Sequence, residues 1–495
     1  MTIPFKTIPG ALRVPLFYAE VDNSRANTAQ EVQRGLILGH YTSGNVGVVP
    51  NVPYLVSSVD DVRKVTGSSS ILSFMAEAYR KNDPLGELWI LPVAEDVSAA
   101  AATGSVQFTA SATAAGTFYL YVGGVRYALP VSPTQTTSQL ATALAALINS
   151  RSPTAPVNAT VSTNTVTLIA DNKGPSGNEI DIRANYAGAA GGEVLPTGLA
   201  VTITAMSGGA TAPSLTTALS NCGERAFDFI VTPWTDTTTL NALRDFLSDA
   251  SGRWSYAQQL YGHFFYGKSG TLGTLTTFGS ARNDQHATCI GHQDSATPAF
   301  VWAAAFAGAA AASLRNDPAL PLQTLAVSGV LAPPLTSRFV LGDRNTLLYS
   351  GISTYVAGDD GAVRIDNLIT TYQKNAFGAA DNSYLEVETM FTLAYVLRFM
   401  KTAITSKFSR VKLASNAQRI GAGANVVTPN VIRAELIAQY RELESRGYVQ
   451  NVEDFKAGLV VEQNATNPNR VDVLWPGTLI NQLRIFALLA QFRLN

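Results

Sequence analysis

Two blocks of this chain alternate short apolar runs with segments of helical period, and that alternation restricts the fold more than any other feature. In the first block, Gly35-Leu36-Ile37-Leu38-Gly39 and Glu87 to Val93 read as short buried strands. Val59 to Lys64 and Ile71 to Lys81 between them read as helices. The pattern returns after residue 225, with strands at Phe227 to Pro233, His263 to Gly267 and Ala287 to Gly291. Helices are expected at Thr237 to Ser251, Thr271 to Gly279 and Pro298 to Leu314. Strands that alternate with helices imply an α/β core with a mainly parallel sheet.

The stretch between the blocks is of another kind. Residues 97–213 hold eight charges, four of each sign, and are dominated by Thr, Ala, Ser and Gly. Phe118 to Val122 and Val125 to Leu129 flank Gly123-Gly124, a hairpin signal. Thr137 to Asn149 is a helix with Leu140, Leu144, Leu147 and Ile148 on one face. Asn158 to Val161 and Thr165 to Ala170 read as strands, and Asn178 to Tyr186 alternates again. The stretch is therefore read as a small inserted α+β domain, with linkers at 95–104 and 205–214. The α/β core then comprises 23–96 and 214–345.

Residues 346–481 form a further α+β unit. It opens with a hairpin, Ile352 to Val356 and Ala362 to Ile365 around Gly358-Asp359-Asp360-Gly361. Helices follow at Ser383 to Thr405 and Pro429 to Arg446. The second has Thr428 as N-cap, Pro429 at its first position and Gly447 just past its end. Both ends of the chain look like extended arms. In 1–22, prolines precede an alternating stretch with Phe17, Ala19 and Val21 on one side. In 482–495, Leu488, Ala490, Phe492 and Leu494 alternate with Leu489, Gln491 and Arg493. A lone strand must join a sheet, either its own subunit's or a neighbour's, and joining a neighbour's is β-augmentation.

Little in the sequence suggests catalysis. Gly39-His40-Tyr41-Thr42-Ser43-Gly44 has the glycine spacing of a phosphate loop, but Asn45-Val46 stands where Lys-Ser/Thr is needed. There is no GxSxG elbow. A Ser-His-Asp arrangement is spatial and cannot be judged from spacing, so an α/β hydrolase with an accessory module is the alternative reading. Glycan binding by 97–213, as in an adhesin, is a third. Of four histidines, His286 and His292 are read as solvated loop residues, and no metal or cofactor is expected. Cys222 and Cys289 fit small reduced core residues. The N-terminus lacks a signal-peptide pattern. Residues 297–314 are rich in Ala and Gly and fit a buried, closely packed helix better than a membrane span.

Charged residues make up 14% of the chain and its net charge is -1, which disfavours a general nucleic-acid or anionic-membrane binder. The charge is uneven. Residues 361–495 hold 15 basic and 11 acidic residues, and no acid falls between Glu388 and Glu435. Arg398, Lys401, Lys407, Arg410 and Lys412 lie in that gap and read either as a solvated helix end and loop, where basic residues suit a helix C-terminus, or as a basic strip that faces an acidic partner.

Several segments together resemble the contractile phage tail sheath proteins of Mu-like phages. They are IPGALRVPLFYAEVDNS at the N-terminus, Pro298 to Ala305, Leu347 to Thr354, Arg364 to Gln373, Ser383 to Thr389, Ile404 to Arg410 and Val427 to Leu436. The resemblance implies a non-catalytic core of subtilisin-like architecture, an outward-facing insertion and a C-terminal domain whose basic strip faces the tail tube. It also implies terminal arms that exchange strands between copies, and stacked hexameric rings in a six-start helical sleeve. Contraction of that sleeve would drive the tube through the host envelope for genome delivery. The implied partners are further copies of the chain, the tail tube protein, and baseplate and tail terminator proteins, with no nucleic acid and no membrane insertion. The implied location is the virion tail, after synthesis in the host cytoplasm.

Overall fold

A computed structural model of the 495-residue chain describes residues 33–42, 47–418, 421 and 425–494. The first α/β block supplies β1 (Gly35–His40), β2 (Tyr54–Val56), α1 (Val59–Thr66), α2 (Ile71–Asn82) and β3 (Leu88–Val93). The insertion supplies β4 (Ala101–Ala110), β5 (Gly116–Val122), β6 (Val125–Val131), α3 (Thr137–Asn149), β7 (Val157–Ser162), β8 (Thr165–Lys173), β9 (Ile182–Ala184) and β10 (Ala200–Ser207). The core resumes with α4 (Thr216–Ser220), β11 (Phe229–Val231), α5 (Thr237–Leu247), β12 (His263–Ser269), α6 (Leu272–Ser280), β13 (Ala287–His292) and α7 (Ala299–Asn316). β14 (Ala326–Val327), α8 (Leu341–Tyr349), β15 (Ile352–Ala357) and β16 (Val363–Asn367) follow.

Nine of these strands form one sheet in the order β14-β16-β15-β13-β12-β11-β1-β3-β2. From β15 to β3 every neighbouring pair is parallel, and the antiparallel pairings are confined to the two edges. The central strands are buried along their length, as a sheet covered by helices on its faces requires. The expected mainly parallel α/β core is present. The hairpin read as the opening of the C-terminal unit pairs through β15 with β13 and so completes the core sheet. Its turn signal was visible, but the strand it would join is some 60 residues upstream and left no mark in the local sequence.

The Ala-rich stretch forms α7, buried over nearly its whole length. Ala and Gly allow close approach: a Cβ at Gly308 would lie 2.5 Å from the backbone oxygen of Tyr79 on α2. No helix among the described residues is long and apolar enough to cross a membrane. Cys222 and Cys289 are buried free thiols.

The insertion has its own core, with Val106, Phe108, Phe118, Leu120, Leu140, Leu144, Val166 and Leu168 all buried. Thr136 and Gln139 form a capping box at the start of α3. The two flanks read as linkers are instead largely structured. β4 and β10 pair antiparallel, and a bridge between Ala100 and Ala210 extends the pairing toward the core. Thr, Ala and Ser suggest a linker by composition, yet alternating small residues also suit a half-buried ladder. The Asn178 to Tyr186 stretch divides into a 3-10 turn, Pro175–Glu179, and β9.

The last unit contains α9 (Val387–Phe408), β17 (Lys412–Leu413), β18 (Val426–Val427), α10 (Pro429–Ser445) and β19 (Val449–Gln450). α11 (Val452–Gly458), β20 (Val460–Gln463), β21 (Val471–Leu474) and β22 (Thr478–Leu479) complete it. At the start of α10 the Thr428 hydroxyl accepts from Val431 N at 3.4 Å, and Gly447 takes φ +78° just beyond its end. Tyr440 stacks on Phe455 at 3.8 Å, with Trp475 against both rings. α9 serves two cores. Val387 and Phe391 pack in the large α/β core, whereas Val396 joins Leu436, Tyr440 and Leu443 in the C-terminal one.

Candidate functional site

In an open α/β sheet, ligands bind outside the carboxyl ends of the strands where the winding direction reverses. Here that point lies between β1 and β11, and the inserted domain covers it. Asn172 donates to Tyr41 O at 2.9 Å, accepts from Ile71 N at 2.9 Å and donates to Glu95 Oε1 at 3.1 Å. Around the same end, Lys268 pairs with Glu179 at 3.2 Å, Arg183 donates to Asp294 O at 3.1 Å and Tyr186 donates to Ala332 O at 2.6 Å. His40 stands edge-on to Trp234 beneath, with ring centroids 5.1 Å apart. The crevice that an enzyme of this architecture would use is thus filled by the chain's own insertion. No group of three or more His, Cys, Asp or Glu among the described residues could hold a metal ion.

His286 and His292 are not in a solvated loop. Both are buried, at 2% and 1% exposure, beside and within β13. His286 stacks on Trp254 and its Nε2 lies 2.8 Å from Asp249 Oδ1. His292 stacks on Trp302 at 4.8 Å, and neither ring nitrogen has a hydrogen-bond partner among the described residues. Their neighbours Asp284 and Asp294 suggested a loop, but the strand between them is a central one.

Desolvation presses the His292 pKa down to about 3, lowers that of His263 well below the ordinary value and lowers that of His40. An unfolded histidine takes up a proton near pH 6.5. Each buried neutral ring therefore contributes stability above that pH, and the contribution is lost as the pH falls from about 6.5 toward the folded pKa. Each adds a slope of up to about 1.4 kcal/mol per pH unit. Urea unfolding between pH 7 and 4 should show His292→Phe less acid-sensitive than the native chain by about that slope. An unchanged slope would refute the assignment.

Asp228 and Arg398 form the principal buried charge pair between the core and the C-terminal unit. They lie 2.6 Å apart, with side chains 3% and 11% exposed. Arg398 also donates to Tyr261 O at 3.2 Å, and Arg34 N donates to Asp228 at 3.0 Å. Arg398 is therefore not on the expected basic strip but fastens α9 to the core. Helical spacing from Phe391, which packs in the core, and from the buried Ala394 places it on the inward face of α9. Lys407 is half exposed and pairs with Glu435 on α10 at 2.6 Å. Lys401, Arg410 and Lys412 are exposed and form no ion pair among the described residues. They remain as a narrower basic patch.

Of the arm residues, Phe17, Ala19 and Val21 lie outside the described residues. Residues 481–494 pair with no strand among the described residues. The apolar side chains there face solvent. Leu488 is 77% exposed, Phe492 83% and Leu494 89%, and Ala490 is also exposed. Upstream, Arg484 is held by Glu386 at 3.1 Å and Glu388 at 2.7 Å, contacts that sequence reasoning missed. Ten exposed, largely apolar residues, 485–494, thus follow Arg484.

Comparisons with known proteins identify the family. The phage tail sheath protein central domain matches residues 208–371, and the phage tail sheath C-terminal domain matches residues 379–493. The chain is 42% identical over 495 residues to the Mu-like prophage FluMu tail sheath protein of Haemophilus influenzae, covering 99% of this chain and 100% of that one. The crystal structure of a sheath tail protein from Desulfitobacterium hafniense aligns over 95% of this chain and 97% of its own at 14% identity, with a TM-score of 0.48. A cryo-EM structure of an extracellular contractile injection system, the PVC sheath complex in its contracted state, aligns over 98% of each chain at 12% identity and a TM-score of 0.46. The chain belongs to the phage tail sheath family. It is a structural tail protein and not an enzyme.

Proposed function

We propose that the chain is the repeating subunit of a helical sleeve that surrounds a tail tube and contracts to drive that tube through a host envelope during genome delivery. The observation that carries the reading is the exposed apolar segment Ile485 to Leu494, which has no strand partner among the described residues. A head-to-tail exchange of such segments does not close on itself and so builds rings or helical filaments. In this reading Leu488, Ala490, Phe492 and Leu494 face into a neighbour's sheet, and Phe17, Ala19 and Val21 form the reciprocal N-terminal arm. The sleeve is built of stacked hexameric rings.

The remaining parts take positions that follow from their chemistry. The core corresponds to the subtilisin-like architecture, used as a scaffold. The insertion 97–213, with few charges and its own core, faces outward. Lys401, Arg410 and Lys412, with Lys407 beside them, face an acidic tube surface. Baseplate and terminator proteins bound the sleeve at its ends in the virion tail. Contraction then consists of rigid-body motion about the arms, with energy drawn from new subunit contacts rather than from a bound nucleotide.

Negative-stain microscopy of the purified full-length protein tests the reading. Hollow tubes or stacked rings are expected, and a protein that stays monomeric at high concentration would refute it. The tube-facing assignment has a separate test. Lys401→Glu, Arg410→Glu and Lys412→Glu together should lower co-assembly with the tube protein by tenfold or more at low salt, about 1.4 kcal/mol. Subunit stability should stay within about 0.5 kcal/mol of the native value. Undiminished co-assembly would return the patch to a solvated role.

A further inference from the structure

The subunit grips its C-terminal segment at one well-defined place. Glu386 and Glu388 stand at the start of α9, and the Arg484 guanidinium reaches both, at 3.1 and 2.7 Å. Glu388 is completely buried, and its other oxygen accepts from Leu322 N at 2.7 Å. Gln323 donates to Leu483 O at 3.2 Å, and Ile480 N donates to Tyr448 O at 3.1 Å. From Ile485 to Leu494 every residue is exposed, with Ile485 at 82% and Phe486 at 80%.

We propose that Arg484 is a positioning residue, a clasp that fixes the root of the C-terminal arm so that a neighbouring copy receives residues 485–494 from a constant point and in a constant direction. The inference rests on the strand-exchange reading above and adds where the arm is anchored. Two carboxylates this close, one of them fully buried, need a shared cation. Burial raises the pKa of Glu386, and the positive charge of Arg484 offsets part of that rise. Apart from the clasp, the described arm root is held by the two-residue pairing of Thr478–Leu479 with Val449–Gln450, by hydrogen bonds from Ile480 N to Tyr448 O, Thr478 N to the Tyr440 hydroxyl and Gln450 Nε2 to Leu479 O, and by the Gln323 contact. Tension on an exchanged strand would peel so short a ladder, whereas the ion contacts of Arg484 Nη2 with Glu386 and the buried Glu388 tie the root to the start of α9.

The test uses the full-length chain in three forms: Arg484→Gln, Arg484→Lys and a deletion of 485–495. Arg484→Gln should keep the native near-UV circular dichroism. Its amides at Thr478 and Ile480, which are hydrogen-bonded to Tyr440 and Tyr448, should exchange with solvent roughly tenfold faster or more, as local opening becomes easier. Its polymers should dissociate at lower urea, and Arg484→Lys should recover part of the loss. Should Arg484→Gln fail to fold, the pair Arg484→Met with Glu388→Gln removes cation and buried charge together and should show the same weakened polymer. Native exchange and native polymer stability in Arg484→Gln, while the deletion blocks assembly, would overturn the clasp alone. A deletion variant that polymerises normally would overturn the strand-exchange reading, and the clasp with it.

Discussion

Removing residues 485–495 is expected to yield a folded subunit that no longer polymerises. The segment belongs to none of the described cores, since its apolar side chains are exposed and its backbone pairs with no strand among the described residues. Unfolding by urea should therefore match that of the native subunit within about 0.5 kcal/mol. Assembly should not survive. As a strand, the segment would place Phe486, Leu488, Ala490, Phe492 and Leu494 on one face. Burying a large apolar side chain is worth about 1.5–3 kcal/mol, so losing even two of them raises the concentration needed for assembly by about a hundredfold or more. Light scattering and microscopy across a concentration series would measure this. Tubes formed at the native concentration would refute strand exchange by this arm.

The opposite pattern is expected for Arg398→Glu. It should unfold the chain at markedly lower denaturant, before any question of assembly arises. Arg398 and Asp228 are nearly buried and 2.6 Å apart. Breaking such a pair by changing one partner costs about 3–5 kcal/mol, and reversing the charge adds repulsion. Lys401→Glu, one turn away and exposed, should cost no more than about 0.5 kcal/mol. Equal stability of the two variants in urea would show that the Asp228 contact does not join the domains. Arg398 and Lys401 look equivalent in sequence, so the comparison separates a structural cation from an interfacial one.

That pair also marks the limit of what the sequence revealed. The alternation that predicted the core was legible because its signals are local: apolar runs of strand length, segments of helical period between them, and a helix too rich in Ala and Gly to be anything but closely packed. Long-range pairing left weaker traces. Nothing near Ile352 announced that its strand would join β13, and nothing near Ala101 or Ala200 announced that two supposed linkers would pair with each other. Charge was the least legible feature. A gap without acids between Glu388 and Glu435 suggested one continuous basic strip, but Asp228 and Glu435 lie across it in space. The Arg484 clasp was hidden because its carboxylates are some 100 residues upstream. The buried histidines were misread because nearby acids outweighed the apolar strand between them.

α9 belongs to two hydrophobic cores at once, and this has a mechanical consequence. A helix whose first half is embedded in one domain and whose second half is embedded in the next behaves as a common spar. The distance and angle between the domains cannot change unless the spar bends or one end is pulled from its packing, and the Asp228 to Arg398 pair pins it between them. A displacement applied at the C-terminal unit is therefore delivered to the far edge of the nine-stranded sheet with little loss. Work done on one side of the subunit is not dissipated within it. Each subunit acts as a stiff lever between its two cores.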